Sequence, residues 1–226
     1  MERKIVLPGE EINLEGMKQG NGIYHENGKY YSYQMGVLQT YNNYANIIPL
    51  SGKYYPVRND RIIGKVIDIA PSFWIMDIRG PYPGFLHIND TPWKNLDQDL
   101  NKILGIGDTV FLKVNEITES RQIWLSLKDA GLRKLEGGHI ASIQAPKVPR
   151  IIGKGGSMVN MIKDATETRI VVGQNGLIWV DGEPENVMAA IEAIKVVERE
   201  AHTTGLTDRM QKYLEEIKGG KNGNSV

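Results

Sequence analysis

A run of glycines and one lysine near the middle of the chain has the composition of a phosphate-binding loop. Gly153 and Gly156 bracket Lys154 and Gly155, and a helical pattern follows from Ser157. Glycines leave room for a second backbone to approach closely, and the lysine places a cation at the tip of the loop. The amide groups at the start of the following helix favour an anion. This spacing predicts that residues 153–156 contact a sugar-phosphate backbone.

The charge around the loop supports this interpretation. No acidic residue occurs between Glu136 and Asp164, although the whole chain balances 27 Lys and Arg against 27 Asp and Glu. An acid-free window in a neutral chain indicates a local surface that faces phosphate. A helix–helix turn that binds no ligand is the alternative, because motif matches carry false positives. The candidate phosphate contacts in this window, besides the loop glycines, are Lys147, Arg150, Lys154 and Lys163.

The predicted elements around the loop follow the order β-α-α-β-β-α. A strand-like stretch (139–145) precedes the loop and a helical stretch (158–165) follows it. Two further strands (169–173 and 177–180) meet at a turn with an Asn-Gly signal, and a long helix closes the unit from residue 185. This order around a Gly-x-x-Gly loop resembles a type I KH domain, whose loop clamps the backbone of a single strand.

The preceding segment, residues 56–130, carries five short strand-like runs with one crossover after the third. This pattern is typical of a small Greek-key barrel of OB type. Four landmarks make it similar to an S1-type RNA-binding domain, and the resemblance implies a groove on which bases stack. The landmarks are Gly64-x-Val66, Gly84-Phe85-Leu86-His87, Gly107-Asp108-x-Val110 with Lys113-Val114, and Leu125-Ser126-Leu127-Lys128.

The S1 resemblance also suggests individual RNA contacts. Phe73 and Trp74 are candidate stacking residues, but each lies one residue away from a column, Ser72 or Ile75, where the family places its aromatics. A one-residue offset turns a side chain to the opposite face of a strand. Which of the two faces RNA and which faces the core therefore stays open. The candidate contacts in the barrel are His87, in the family's histidine column, with Lys65, Lys113, Arg121, Phe73 and Trp74.

The N-terminal segment, residues 1–55, is rich in tyrosine and in turn signals. It holds eight of the ten tyrosines and a balanced charge of five basic and five acidic residues. We expect a small β-rich domain with little apolar mass. The tyrosines fit either half-buried strand positions or a protein interface, and we expect this domain to dock on a protein partner. After residue 205, a short helix ending at residue 217 and a disordered tail are predicted.

Several classes of function find no support in the sequence. The chain has no cysteine, so disulfides and thiolate zinc sites are excluded. Its four histidines form no metal-spaced pair, and no catalytic constellation or nucleotide-binding loop with the Gly-Lys-Ser/Thr ending occurs. We therefore expect no enzyme activity, no cofactor and no metal. Because no apolar run reaches the ~18 residues of a membrane span, we expect a soluble cytoplasmic protein.

The domain order gives a resemblance over residues 1 to about 205. A tyrosine-rich β domain followed by S1 and KH domains is similar to the RNA-binding cap subunits of the archaeal exosome, of the ribosomal-RNA-processing type. The fold class implied is multidomain β and α+β. Its parts are a small N-terminal β domain (1–55), an S1-type OB barrel (56–130), a type I KH domain (131–205) and a helix with a tail (206–226).

The resemblance also implies a function and its partners. Three such non-catalytic subunits cap a ring of phosphorolytic RNase PH-like subunits, recruit single-stranded RNA and guide its 3′ end into the ring for degradation or processing. In the family, the N-terminal domain holds the ring. The alternative is a free-standing S1/KH RNA-binding factor in transcription or translation, which would have no ring partner.

Overall fold

The computed structural model describes residues 4–41, 43–50, 52–93, 100–201, 203 and 205–222. The chain divides into two compact units, Met1–Gly52 and Lys53–Val226. The described part of the first unit is built from strands, whereas the second contains a barrel and a layer of helices on a sheet. The barrel and the KH domain thus share one unit.

The first unit is a small β domain. Its strands are β1 (Lys4–Val6), β2 (Lys18–Gln19), β3 (Ile23–Glu26), β4 (Lys29–Ser32), β5 (Gly36–Tyr41) and β6 (Tyr44–Pro49). Four of them form one sheet in the order β1-β5-β6-β2, and β3 and β4 form a separate hairpin. The core is small, as predicted, with six buried apolar side chains among the described residues. The buried residues are Val6, Ile12, Leu14, Ile23, Ala45 and Ile47.

The second unit begins with a closed five-stranded barrel, which confirms the predicted OB-type fold. Its strands are β7 (Arg61–Ile69), β8 (Phe73–Asp77), β9 (Gly84–His87), β10 (Thr109–Ile117) and β11 (Ile123–Ser126), and the short helix α1 (Leu100–Ile103) precedes β10. The sheet runs β11-β9-β8-β7-β10, and β11 pairs again with β10 to close it. Register shifts in β7 and β10 mark bulges, which help a sheet to curve into a barrel.

One further strand, β12 (Arg133–Leu135), pairs with β10 on the outside of the barrel. The barrel sheet therefore extends beyond residue 130, where the sequence predicted the barrel to end. Inside the barrel, alternate strand residues form a core of aliphatic side chains around Trp74. The indole N–H of Trp74 donates a hydrogen bond to the carbonyl of Leu104 at 3.0 Å, so the buried polar group is satisfied.

The KH domain has the predicted element order and confirms the predicted fold. Its elements are β13 (His139–Ser142), α2 (Val148–Ile152), α3 (Ser157–Thr166), β14 (Arg169–Val172), β15 (Leu177–Asp181) and α4 (Pro184–Glu200). The antiparallel sheet has the order β13-β15-β14. One face of the sheet packs against the helices through Ile170, Ile178 and Val180, because alternate strand residues point to the same side.

A last helix, α5 (Leu206–Asn222), completes the KH core. Leu206, Met210 and Leu214 are buried in the same cluster as the apolar residues of α3 and α4. The sequence predicted a helix ending at residue 217 and then a disordered tail, whereas α5 continues five residues further. A helix whose apolar face is covered gains stability from packing rather than from intrinsic propensity. It can therefore continue through glycines, which have low helix propensity. Residues 223–226 lie outside the described residues.

The KH sheet packs against the barrel through its other face. Trp179 on β15 contacts Ile63 on β7 and Leu135 on β12, and together they form a separate buried cluster. The Arg79 guanidinium after β8 donates to the carbonyls of Ile143 and Gly176 in the KH domain, at 3.1 and 3.4 Å. The two domains are therefore joined by apolar and polar contacts.

The turn between β14 and β15 provides the most buried polar contact of this interface. The Asn175 side chain is 1% exposed and its amide nitrogen donates to the carbonyls of Ile63 (2.7 Å) and Ile78 (2.9 Å). Its oxygen accepts from the backbone N–H of Ile63 at 3.3 Å. Beside it, Gln174 exchanges two hydrogen bonds with the backbone of Arg61. The turn thus forms hydrogen bonds with the backbone of the barrel, as a neighbouring strand would.

No helix within the described ranges is long and apolar enough to cross a membrane. Among those same residues, no three His, Cys, Asp or Glu side chains lie together in a way that could hold a metal ion.

Candidate nucleic-acid interface

The Gly-x-x-Gly loop connects α2 to α3. The helix α2 ends at Ile152, residues 154–156 form a single 3-10 turn, and α3 begins at Ser157. Lys154 and Gly155 are exposed. The first amide groups of a helix lack partners within it, and the first turn of α3 contains no acidic residue. The N-terminal end of α3 therefore carries no negative side chain, and its Ser157 N–H already donates to the carbonyl of Lys154.

The first glycine of the loop is required by its backbone. Gly153 has φ 74°, and a Cβ there would lie 2.7 Å from the amide nitrogen of Met158. Gly155 also has a positive φ of 61°, but a Cβ there would meet no atom within 4 Å. Gly153 thus allows the loop to close tightly against α3, whereas Gly155 leaves open space at the tip. That space is what a ligand backbone needs in order to approach.

The structure places the predicted basic residues unevenly around the loop. Lys154 is exposed at the tip, Arg150 is exposed in the last turn of α2, and Lys147 is half-buried just before α2. Lys163 follows Gly156 by seven residues, so it lies about 10 Å further along the same face of α3. None of the four cations forms an ion pair with a residue that the structure describes. Their charge is therefore available to an external anion.

A cluster of three aromatic rings covers the outer face of the barrel. Phe73, Phe85 and Trp124 project from β8, β9 and β11, and their ring centroids lie 5.7 to 6.4 Å apart. All three side chains are half-buried. We call these residues the aromatic triad. Half-buried aromatic rings on adjacent outward-facing strand positions are suited to stacking with nucleobases.

His87 lies at one end of this face, directly opposite Phe73 in the strand register. Its Nδ1 accepts a hydrogen bond from the backbone N–H of Asn89 at 3.1 Å. A neutral imidazole whose Nδ1 is an acceptor carries its proton on Nε2. The half-buried ring can therefore donate from Nε2 to a base or a sugar placed on the aromatic triad.

The structure decides the choice that the sequence left open between Phe73 and Trp74, and it corrects the candidate Trp74 from an RNA contact to a core residue. Trp74 is fully buried in the barrel core, and its ring packs edge to face against Trp93 at 6.3 Å. Phe73, its neighbour, points outward because successive residues of a strand face opposite sides. Phe85 and Trp124 were not predicted as RNA contacts. The alternation of outward-facing and core residues in β9 and β11 could have indicated these two aromatic residues, since each is followed by a core leucine.

The remaining barrel candidates lie in separate surroundings. Lys65 is exposed on the outer face of β7. Lys113 is half-buried, and its Nζ lies 2.8 Å from the carboxylate of Asp129, so it already has a counter-ion. Arg121, in the turn between β10 and β11, donates to the hydroxyl of Tyr82 at 3.1 Å, and this hydrogen bond raises the pKa of Arg121. Among the described residues, no hydrogen bond or cation–π contact links these three side chains to the aromatic triad.

The structural features have counterparts in known families. A family model described as the KH domain matches residues 139–196. A model described as the N-terminal domain of the exosome RNA-binding protein RRP4 matches residues 3–51. The exosome complex component Rrp4 of Picrophilus torridus is 56% identical over 223 residues, which cover 99% of this chain and 97% of the relative. The chain belongs to the Rrp4 family of exosome complex components.

Other comparisons agree with this membership. The Rrp4 component of Thermoplasma volcanium is 51% identical, covering 98% of this chain and 94% of the relative. A crystal structure described as an exosome complex RNA-binding protein matches with a TM-score of 0.65 at 34% identity, covering 73% of this chain and 97% of that chain. The family expected from the order of domains is thus confirmed as Rrp4.

Proposed function

We propose that this chain is a non-catalytic RNA-binding cap subunit of an archaeal exosome. It recruits single-stranded RNA and guides the 3′ end into a phosphorolytic ring of RNase PH-like subunits. The observation that carries the proposal is the open Gly-x-x-Gly loop in a KH domain of an Rrp4 family chain. The basic residues around it have no carboxylate partner within the described part of the chain. The alternative, a free-standing RNA-binding factor, has no observation in its favour beyond the same two domains.

The two domains would contact RNA through different chemistry. The loop at 153–156 and its flanking cations face the phosphates, which contribute affinity without regard to sequence. The aromatic triad stacks on bases, with a typical contribution of ~1–3 kcal/mol per base. His87 adds a hydrogen-bond donor beside Phe73. Both kinds of contact suit an unpaired strand, because stacking needs bases that are free of a duplex.

The first unit supports docking on a protein partner. Ile5, Val37 and Ile48 lie side by side across β1, β5 and β6, and Ile5 and Ile48 are 60% and 47% exposed. Leu7 and Leu50, beyond the ends of β1 and β6, are also exposed. An apolar strip of this kind on a small domain is typical of a protein interface rather than an RNA surface. The exposed surface is thus aliphatic as well as tyrosine-rich.

Three copies per assembly and a cytoplasmic location belong to the same proposal. Both are what the resemblance to the exosome cap subunits implies. Size-exclusion chromatography with light scattering on the chain mixed with ring subunits would measure the copy number.

The central experiment replaces Lys154 and Gly155 together by aspartates. This change keeps a turn but places two carboxylates where phosphate is proposed to bind. Affinity for single-stranded oligoadenylate should fall, and the slope of log K against log salt should flatten by ~0.7 for each phosphate that the protein no longer neutralises. Fluorescence anisotropy at several salt concentrations measures both quantities. A matched control is Lys195→Asp on α4, an exposed lysine outside the loop.

Unchanged affinity in the loop variant, with the same melting temperature as the control, would leave the KH domain as a scaffold only. A second measurement concerns activity. The isolated chain should release no nucleotides from RNA, with or without phosphate and Mg²⁺. Release by the pure chain would contradict a non-catalytic role.

Docking is tested by placing a charge on the apolar strip. Ile5→Lys with Ile48→Lys should abolish co-elution with the ring subunits, because two desolvated charges would have to enter an apolar interface. RNA affinity should not change. Gln39→Lys, on the same face of β5, is the matched control because it adds a charge at a polar position. Retained ring assembly in the double variant would place the docking surface elsewhere.

A further inference from the structure

Two arginines from different domains face one indole ring where the barrel meets the KH domain. Arg133 lies on β12 of the barrel sheet, and Arg169 begins β14 of the KH sheet. Each guanidinium carbon is 5.9 Å from the ring centroid of Trp179. The ring is buried, and its N–H donates to the carbonyl of Gly137 at 2.9 Å. The indole therefore contacts one cation from each domain. We call Arg133 and Arg169 the junction arginines.

The contacts with the indole leave the donors of both guanidinium groups largely free. A cation–π contact places the guanidinium near the ring, whereas its five N–H donors lie at the edge of the planar group. Arg169 forms an ion pair with Asp181, yet its side chain is still 74% exposed. Arg133 is exposed and forms no ion pair with any residue that the structure describes. Within those residues, the two cations thus have one carboxylate partner between them.

We propose that each junction arginine contacts a phosphate of single-stranded RNA, so that together they form a backbone contact separate from the Gly-x-x-Gly loop. A guanidinium edge matches two oxygens of a phosphate, and this geometry makes arginine the preferred residue for such contacts. Because Trp179 already restrains both side chains, less conformational entropy is lost when the anion binds. This inference rests on the proposed RNA-binding function and adds a site that both domains build jointly.

A third cation lies on the same outer face of the barrel. Lys65 on β7 is opposite Thr109 on β10, and Thr109 is opposite Leu135, two residues from Arg133. Residues two apart on a strand point to the same side. Lys65 therefore lies on the same side of the barrel sheet as Arg133, with the buried Leu135 between them and Asp77 of β8 directly opposite Lys65.

The competing explanation is that both arginines only stabilise the junction between the domains. Stabilisation alone would lower the melting temperature of an alanine variant and leave the salt dependence of RNA binding unchanged. A phosphate contact would change that salt dependence, because each neutralised phosphate releases counterions. The two explanations therefore differ in one measurable quantity, the number of counterions that RNA binding releases.

The test uses the full chain and a labelled oligoadenylate, with anisotropy titrations at several salt concentrations. Arg133→Ala should lower the magnitude of the slope of log K against log salt by ~0.7. The ratio of the wild-type affinity to the variant affinity should then change by roughly fivefold for each tenfold change in salt concentration. Arg133→Lys should retain the slope, because it retains the charge. The matched control is Arg199→Ala near the end of α4, which should change neither slope nor affinity.

A second variant tests the other domain. Arg169→Gln should also lower the slope by ~0.7, and its control Asp181→Asn, which removes the carboxylate partner and keeps the cation, should not lower it. If both variants melt at lower temperature but keep the wild-type slope, the junction arginines are structural only and the proposal is overturned. If the aspartate variant of the loop weakens binding while Arg133→Ala behaves as Arg199→Ala, only the junction site fails. If the loop variant also binds normally, RNA binding by the KH domain fails.

Discussion

Replacing Asn175 by alanine should destabilise the second unit strongly, because one side chain satisfies three backbone groups at the junction of the domains. The substitution removes two hydrogen bonds to the carbonyls of Ile63 and Ile78 and one from the N–H of Ile63. The backbone φ of Asn175 is not positive, so alanine introduces no strain there. The effect measured should therefore come from the removal of these hydrogen bonds.

The magnitude follows from the burial of these groups. A buried donor or acceptor left without a partner costs about 1–3 kcal/mol. The N–H of Ile63 loses the partner provided by the side chain, and the carbonyl oxygens retain a second lone pair that can find another donor. We therefore expect about 3 kcal/mol in total, which lowers the ratio of folded to unfolded protein by roughly 100-fold. Asn175→Asp should cost more, since a carboxylate oxygen would then face two carbonyl oxygens.

Tryptophan fluorescence provides the assay, because all four tryptophans lie in residues 53–226. Urea denaturation followed at the tryptophan emission thus reports on the second unit alone. Gln174→Ala is the matched control in the same turn. Gln174 is exposed and its backbone N–H still donates to Arg61 after the substitution. Its side chain accepts a single hydrogen bond, so the variant should lose about 1 kcal/mol of stability.

A loss for Asn175→Ala equal to that of Gln174→Ala would refute the reasoning. It would mean that water or a shift of the turn replaces the buried hydrogen bonds. A wild-type stability of Asn175→Asp would refute it more directly, because the direction of the hydrogen bonds would then not matter.

Three further predictions concern other sites. The Tyr54 hydroxyl is buried and donates to Asp60, and both effects raise the pKa of Tyr54. The free energy of unfolding should therefore fall by about 1.4 kcal/mol per pH unit above pH ~10. Denaturation at alkaline pH measures this fall, which should be absent in Tyr54→Phe. Gly153→Ala should destabilise by about 3 kcal/mol because its Cβ would meet α3, whereas Gly155→Ala should cost about 1 kcal/mol from its positive φ alone, as measured by thermal denaturation. Trp124→Ala should weaken oligoadenylate binding by about 1–3 kcal/mol in anisotropy titrations, and unchanged affinity would remove the aromatic triad from the RNA interface.

The pattern of strands and helices was predictable because it follows local rules. The period of two in the barrel strands, the Asn-Gly turn signal at residue 175 and the stripe of Val187, Ile191 and Ile194 in α4 all depend on neighbours in sequence. The Gly-x-x-Gly loop was equally predictable from the sequence, because its glycines are needed for backbone conformations that adjacent residues determine. These elements were therefore predicted close to their observed bounds.

Long-range partners were not predictable in the same way. Asn175 was interpreted only as a turn residue, although its side chain is buried against strands more than 90 residues earlier in the chain. The helix α5 was expected to end early because Gly219 and Gly220 disfavour a helix, and only its packing on the KH core could show otherwise. Trp74 illustrates the remaining difficulty, since a shift of one residue in an alignment decides between core and surface.

The amide of Asn175 limits how these domains can be exchanged between proteins. A KH domain moved onto a foreign barrel would bring an asparagine whose hydrogen-bonding partners stayed behind on Ile63 and Ile78. A barrel that received a foreign KH domain would likewise lose the cover over Ile63 that Trp179 provides. A viable chimera must therefore inherit both sides of the junction. Recombination can therefore transfer residues 53–222 only as a whole. Selection should remove recombinant chains in which the barrel and the KH domain come from different parents.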